Sequence, residues 1–209
     1  MSYMRRGIIV GICGPSCSGK TTTSDILAKV VGGKVFHFDD YYMSDAPHVL
    51  VNGAFSYERP ELYDGKKLAE DLLNYTTENP SNCTIVEGFM IFNHPEIFEL
   101  CDIKTFIHLT DDAIIMRRKS RAAKRGYDFL GGRQTKFERS FLLNGIEEWH
   151  RFGVKQAHLP DVRIIDGLYP SADIVQDICS HPMLIEFITN NAKNYEINHE
   201  NNDTMSLIP

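Results

Sequence analysis

A chain of 209 residues is long enough for one well-packed α/β domain and short for two. Its formal net charge of −6 speaks against a general nucleic-acid binder, which carries a basic balance, although local positive charge suffices to handle phosphate. The five cysteines (Cys13, Cys17, Cys83, Cys101 and Cys179) are scattered, odd in number and form no CxxC pair, as expected of reduced thiols rather than a disulfide frame or zinc site.

The amino terminus runs into a strand-like segment with no apolar signal core, and no apolar run approaches membrane-spanning length. A cytoplasmic location without membrane association is therefore expected. Gly7–Cys13 (GIIVGIC) is apolar and β-branched, which predicts a buried central strand. A glycine-bearing loop follows, then a helix over Lys20–Val31 that places Ile26, Leu27, Val30 and Val31 on one face and stops at Gly32-Gly33. Lys34–Phe38 predicts a second strand ending at Asp39-Asp40. Residues 41–63 are aromatic, interrupted by Pro and Gly, and lack clear periodicity, so they read as a long functional loop or lid. Asp64–Tyr75 predicts a helix with Leu68, Leu72 and Leu73 in register.

Cys83–Val86 and Thr105–Leu109 predict the third and fourth strands. Asp111–Lys124 is a basic helix, broken over residues 125–135 by glycines, and Phe137–Val154 is helical again. Val162–Ile165 is a fifth strand. Ser171–Cys179 is a helix that Pro182 interrupts or restarts, and residues 191–209 form a polar, Asn-rich tail expected to be disordered. Strands alternating with helices imply an α/β fold, a mostly parallel five-stranded sheet covered on both faces. Residues 1–190 make one domain with a small lid at 115–135, and ligands belong at the carboxyl ends of the strands.

The segment Gly14-Pro-Ser-Cys-Ser-Gly-Lys-Thr21 fits the phosphate-binding loop pattern G-x-x-x-x-G-K-[ST], with an apolar strand before it and an amphipathic helix after it. Its glycines let successive N–H groups turn inward onto phosphate oxygens. Lys20 offers an ammonium to the β- and γ-phosphates, Thr21 a hydroxyl to Mg²⁺, and the helix its positive end. Gly14, Ser16, Ser18, Gly19, Lys20, Thr21 and Thr22 are the expected nucleotide-binding residues, with ATP and Mg²⁺ as the ligands. A GTP-dependent switch is disfavoured by the lack of an [NT]-K-x-D guanine-reading motif.

The acidic pair Asp39 and Asp40, at the end of a strand beside that loop, can take a proton from an attacking hydroxyl or hold Mg²⁺ through water. Glu87 ends the third strand in a Walker B-like arrangement and also suits the metal. Arg117, Arg118, Arg121 and Arg125 fall on or just past one helix, and Arg117, Arg121 and Arg125, spaced i, i+4, i+8, share a face from which arginines can close over a transferring phosphoryl group. Which arginine does so stays open at this level.

Four ordered motifs, GPSCSGKTT at 14–22, FDDYY at 38–42, IVEGFMIFN at 85–93 and RRKSR at 117–121, resemble those of the uridine kinase and nicotinamide riboside kinase group of P-loop kinases over residues 7–178. The resemblance implies an ATP-dependent kinase acting on a nucleoside 5′-hydroxyl. It implies Asp39 as the base, Glu87 in the Mg²⁺ environment and Arg117 and Arg121 as lid arginines. Tyr57-Glu58 falls where nicotinamide riboside kinases carry an aromatic followed by a ribose-binding Asp. EGFMIFN and IIDG (164–167) look more like nicotinamide riboside kinases, whereas YERPELYD (57–64) and RRKSRAAKRG look partly like uridine kinases. The rings of Tyr41, Tyr42 and Tyr57 suit a cationic pyridinium or a stacked uracil. Nicotinamide riboside is the first expected acceptor and uridine or cytidine the alternative, with a coenzyme precursor such as pantothenate behind them. No nucleic-acid or protein partner is expected.

Overall fold

The computed structural model describes residues 6–47, 49–127 and 136–191. Five strands, β1 (Ile9–Cys13), β2 (Lys34–His37), β5 (Thr84–Gly88), β6 (Ile103–His108) and β7 (Val162–Asp166), form a wholly parallel sheet in the order β2-β5-β1-β6-β7. All five residues of β1 are buried, as its unbroken apolar run requires of a central strand. Their side chains alternate. Ile9 and Cys13 face the cluster of Phe38, Leu68, Leu72, Val86, Phe106 and Trp149, while Val10 and Ile12 face that of Leu27, Ile85, Ile107, Ile174 and Leu184. Truncating Ile9 or Ile12 to Ala removes about 2–5 kcal/mol from either layer.

The first layer is covered by α2 (Gly65–Glu78), α3 (Pro95–Leu100) and a helical run over 136–158. The second is covered by α1 (Lys20–Val31), the helix Ser171–Cys179 and helical residues 182–191. Local chemistry explains the ends. Asp64 caps α2 by accepting from the Lys67 N–H at 2.9 Å, and Gly32 closes α1 in the left-handed conformation at φ 65°. The final helical stretch restarts at Pro182, where a missing N–H costs nothing.

Several expectations need correction. Val30 is 61% exposed and Leu73 is exposed, because the buried stripes of α1 and α2 run through Thr23, Ser24 and Leu27, and through Leu68, Ala69 and Leu72. β2 stops at His37, and Phe38 starts a 3-10 turn through Tyr41. β5 runs on to Gly88, so Glu87 lies within the strand, registered with Ile12 on one side and His37 on the other. The segment 41–63 contains a hairpin, β3 (Leu50–Val51) and β4 (Ala54–Phe55), turned by Asn52 and Gly53 at positive φ. The helical run 136–158 includes two π segments, Phe141–Gly145 and Trp149–Gly153. Most of the expected polar tail, and the part of the expected lid at 128–135, lie outside the described residues. Among those described, no helix is long and apolar enough to cross a membrane.

Candidate functional site

The carboxyl ends of the adjacent strands β2, β5 and β1 lie side by side, and the chain leaves β1 there through the phosphate loop. Gly14 has φ 149°, and a Cβ on it would lie 2.4 Å from the Ile107 carbonyl oxygen, so glycine is required. Cys17 adopts φ 65°, a strained choice for a residue with a side chain, of the kind that clusters at binding loops. Lys20 is buried with 8% exposure, and its Nζ donates to the Pro15 carbonyl at 2.9 Å, so the ammonium lies folded across its own loop. The buried Ser18 hydroxyl has no hydrogen-bond partner among the described residues. Thr22 is exposed at the start of α1.

Thr21 Oγ1 donates to Glu87 Oε1 at 3.1 Å, and the same oxygen lies 2.9 Å from His37 Nδ1. Burial works to lower the His37 pKa, but the hydrogen bond and charge of Glu87, with Asp40 and Asp25, hold it above its usual value. Gly88 permits this crowding, since a Cβ there would fall 2.3 Å from the Cβ of Phe38. Asp39 and Asp40 follow on the 3-10 turn. Asp39 is an exposed residue, yet protein packed around its carboxylate raises its pKa. Glu87 and Asp40 add to that rise, while Lys20 and His37 oppose it.

The arginines of α4 (Asp111–Lys124) reach the same loop. Arg117 donates to the Cys17 carbonyl at 3.3 Å and to the Gly167 carbonyl at 2.8 Å, and Arg121 donates to Ser16 Oγ at 3.3 Å. Arg125, on the face inferred from spacing, is exposed. Arg118, off the face that spacing selected, is the arginine most enclosed at the site. It is 7% exposed, donates to Ser16 Oγ at 3.1 Å, pairs with Glu58 at 3.5 Å and lays its guanidinium 3.9 Å from the Phe141 ring centre. A signal was present, because Ile114, Arg118 and Ala122 are four apart and form the buried stripe of α4. A cation on an apolar stripe demands a partner.

That partner, Glu58, comes from the segment after the hairpin. Burial raises its pKa, and Asp39 raises it further, against the lowering by Arg118 and Lys20. Tyr42 and Tyr57 stand with ring centres 6.4 Å apart. Tyr41 does not join them, since its hydroxyl donates to Asp71 on α2 at 3.0 Å. Of the residues read from sequence, Ser16, Lys20, Thr21, Asp39, Glu58, Glu87, Arg117 and Arg121 are joined by direct contacts or mutual electrostatic influence.

The loop backbone, the unpartnered Ser18 hydroxyl and Lys20 fit a chain of phosphates, and the Thr21–Glu87 pair fits a hard cation. Among the described residues no group of three or more His, Cys, Asp or Glu could hold a metal ion, so phosphate oxygens and water must complete such a shell.

No family model matches the chain. It is 30% identical over 151 residues to a uridine kinase of Mycoplasma pneumoniae, covering 59% of this chain and 71% of that one. A uridine kinase of Lactiplantibacillus plantarum is 28% identical over 146 residues, covering 57% and 70%. Among solved structures, a gluconokinase from Sinorhizobium meliloti superposes with TM-score 0.52 at 15% identity, covering 93% of this chain and 98% of its own. A sugar kinase from Janibacter superposes with TM-score 0.54 at 16% identity, covering 83% and 93%. The two superpositions establish a shared fold.

Proposed function

The chain belongs to the uridine kinase group of P-loop kinases, and from that premise we propose that it transfers the terminal phosphoryl group of ATP to the 5′-hydroxyl of uridine or cytidine. The relatives named uridine kinase reverse the order of acceptors expected from the motifs, and nicotinamide riboside moves to second place. The observation that carries the reading is the juxtaposition of Asp39, Glu58 and the phosphate loop, with Arg118 touching both Glu58 and Ser16.

Lys20, Ser18 and the loop N–H groups would hold the phosphates, and Thr21 and Glu87 would hold the metal. Bound MgATP supplies the electrophilic phosphorus and disperses charge on its oxygens. Glu58 accepts hydrogen bonds from the ribose hydroxyls, and Tyr42 and Tyr57 flank the base. The Asp39 carboxylate accepts the proton of the 5′-hydroxyl. Its raised pKa brings the base closer to the operating pH than an ordinary aspartate. Arg117, Arg118 and Arg121 stabilise the negative charge that develops on the transferring group.

Release of ADP should be measured with Mg²⁺ against uridine, cytidine, nicotinamide riboside, adenosine and pantothenate. Strong turnover with uridine or cytidine is expected. Turnover with nicotinamide riboside alone would overturn the pyrimidine assignment, and silence with every nucleoside would overturn the acceptor class.

A further inference from the structure

Glu148 is a carboxylate with 1% exposure, set in the helical run 136–158 and far in sequence from every motif named above. One of its oxygens, Oε2, meets both Ser56 and Arg59. Ser56 Oγ donates to it at 3.0 Å and Arg59 Nε forms an ion pair with it. Arg151 lies 3.8 Å from the other oxygen. Ser56 and Arg59 are themselves buried, with 0% and 8% exposure, and they bracket Tyr57 and Glu58.

This segment has little structure of its own to hold it. It leaves a hairpin of two-residue strands, and Arg59 is extended at φ −129° and ψ 130°. Isolated hairpins of that size do not persist in water. Tertiary contacts must therefore fix it, and besides Arg118 on α4 they come from one face of the helical run. Asn144 donates to the Val51 carbonyl at 3.1 Å and to the Ala54 carbonyl at 3.4 Å. In return, Asn52 donates to the Leu143 carbonyl at 2.9 Å and to Glu147 Oε2 at 3.1 Å. Asn144 and Glu148 are four apart and share that face. The π segments on either side of Ile146–Glu148 reset the phase of the helix around them.

We propose that Glu148 is a positioning residue for the acceptor site: by gripping Ser56 and Arg59 it sets where Glu58 stands against Arg118 and Asp39. A buried carboxylate is costly unless paired, and an apolar residue would fill the same space at less cost. Here its two buried partners flank the acceptor residues, so the charge fixes geometry. The same run supplies Phe141 beneath Arg118, so both members of the Glu58–Arg118 pair take their places from it.

The inference rests on the assignment of Glu58 to the acceptor, and the experiment separates the two. In the full chain, Glu148→Gln, Ser56→Ala, Glu58→Ala and the Glu148→Gln/Glu58→Ala double variant are compared. Uridine affinity is read by calorimetry, KM for uridine and for ATP by steady-state kinetics, and folding by thermal melts. Glu148→Gln should weaken uridine by about tenfold and leave KM for ATP within about twofold. Ser56→Ala, which removes one hydrogen bond and no charge, should weaken uridine by about threefold and keeps the test open if the first variant folds poorly. In the Glu58→Ala background the Glu148→Gln effect should vanish, because it acts through Glu58. Unchanged uridine affinity in Glu148→Gln and Ser56→Ala, equal losses for uridine and ATP, or additivity with Glu58→Ala would each overturn the proposal alone. A Glu58→Ala variant with full uridine affinity would overturn the acceptor assignment itself, and this proposal with it.

Discussion

Replacing Arg118 with Met keeps an unbranched side chain of similar reach against Phe141 but removes the guanidinium. The ion pair it breaks is enclosed, with side-chain exposures of 8% for Arg118 and 12% for Glu58. Removing one member of a buried pair costs about 3–5 kcal/mol, and the 3.5 Å separation puts this pair near the lower figure, about 3 kcal/mol. For a chain of this length each kcal/mol moves Tm by about 2–4 °C, so Arg118→Met should melt about 6–12 °C below the parent. The loss depends on pH in a definite direction. The Glu58 pKa is already raised in the folded state, so folding takes up protons and its contribution declines as pH rises from the unfolded value through the folded one. Without the guanidinium that lowers it, the folded value rises further, and the deficit should be larger at pH 8 than at pH 5. Circular dichroism melts of the parent, Arg118→Met, Glu58→Gln and the double variant measure this directly. The double variant should recover most of the lost Tm, since it leaves no unpaired buried charge, but it should not recover turnover. A melting temperature for Arg118→Met within about 2 °C of the parent at pH 8 would refute the view that the pair is coupled and buried.

Lys20→Ala should reduce turnover by on the order of a thousandfold or more while the thermal melt stays near the parent's, because the hydrogen bond its ammonium makes is to the Pro15 carbonyl of its own loop. Asp39 should set the acid limb of the kcat/KM profile for the acceptor. Activity should fall as pH drops through the raised pKa, at a higher pH than an aspartate near 3.8 would give, and Asp39→Asn should lose that limb with most of its rate. Glu87→Gln should raise the Mg²⁺ concentration for half-maximal rate by about tenfold with little change in KM for uridine, read by Mg²⁺ titration at fixed nucleoside.

The phosphate end of this site is legible in the sequence because its parts are local. Gly14 to Thr21 is one contiguous turn between a strand and a helix, and Glu87, one residue before the end of β5, and Asp39, on the turn after β2, lie beside it. Strand and helix periods located the sheet and its helices for the same reason. The hairpin escaped although Asn52-Gly53 between apolar residues is a strong turn signal, because two-residue strands leave no alternation to read. α3 escaped because six residues are too few to show a helical period. The acceptor end is harder for a different physical cause. Glu58 is placed by Arg118 from one helix, and its neighbours Ser56 and Arg59 by Glu148 some ninety residues away. Spacing on α4 pointed to Arg117, Arg121 and Arg125, a face chosen by counting cations, whereas burial selects Arg118 from the apolar stripe between Ile114 and Ala122. A charge on an apolar stripe cannot be desolvated alone, and neither can a carboxylate such as Glu148. Each such residue in a sequence therefore requires an unseen partner of opposite charge. Here the two partners, Glu58 and Arg59, are adjacent, so two separate helices fix the segment proposed to meet the acceptor. On that proposal the acceptor end depends on long-range ion pairs and the phosphate end on a nine-residue motif, and only the second can be read without the fold.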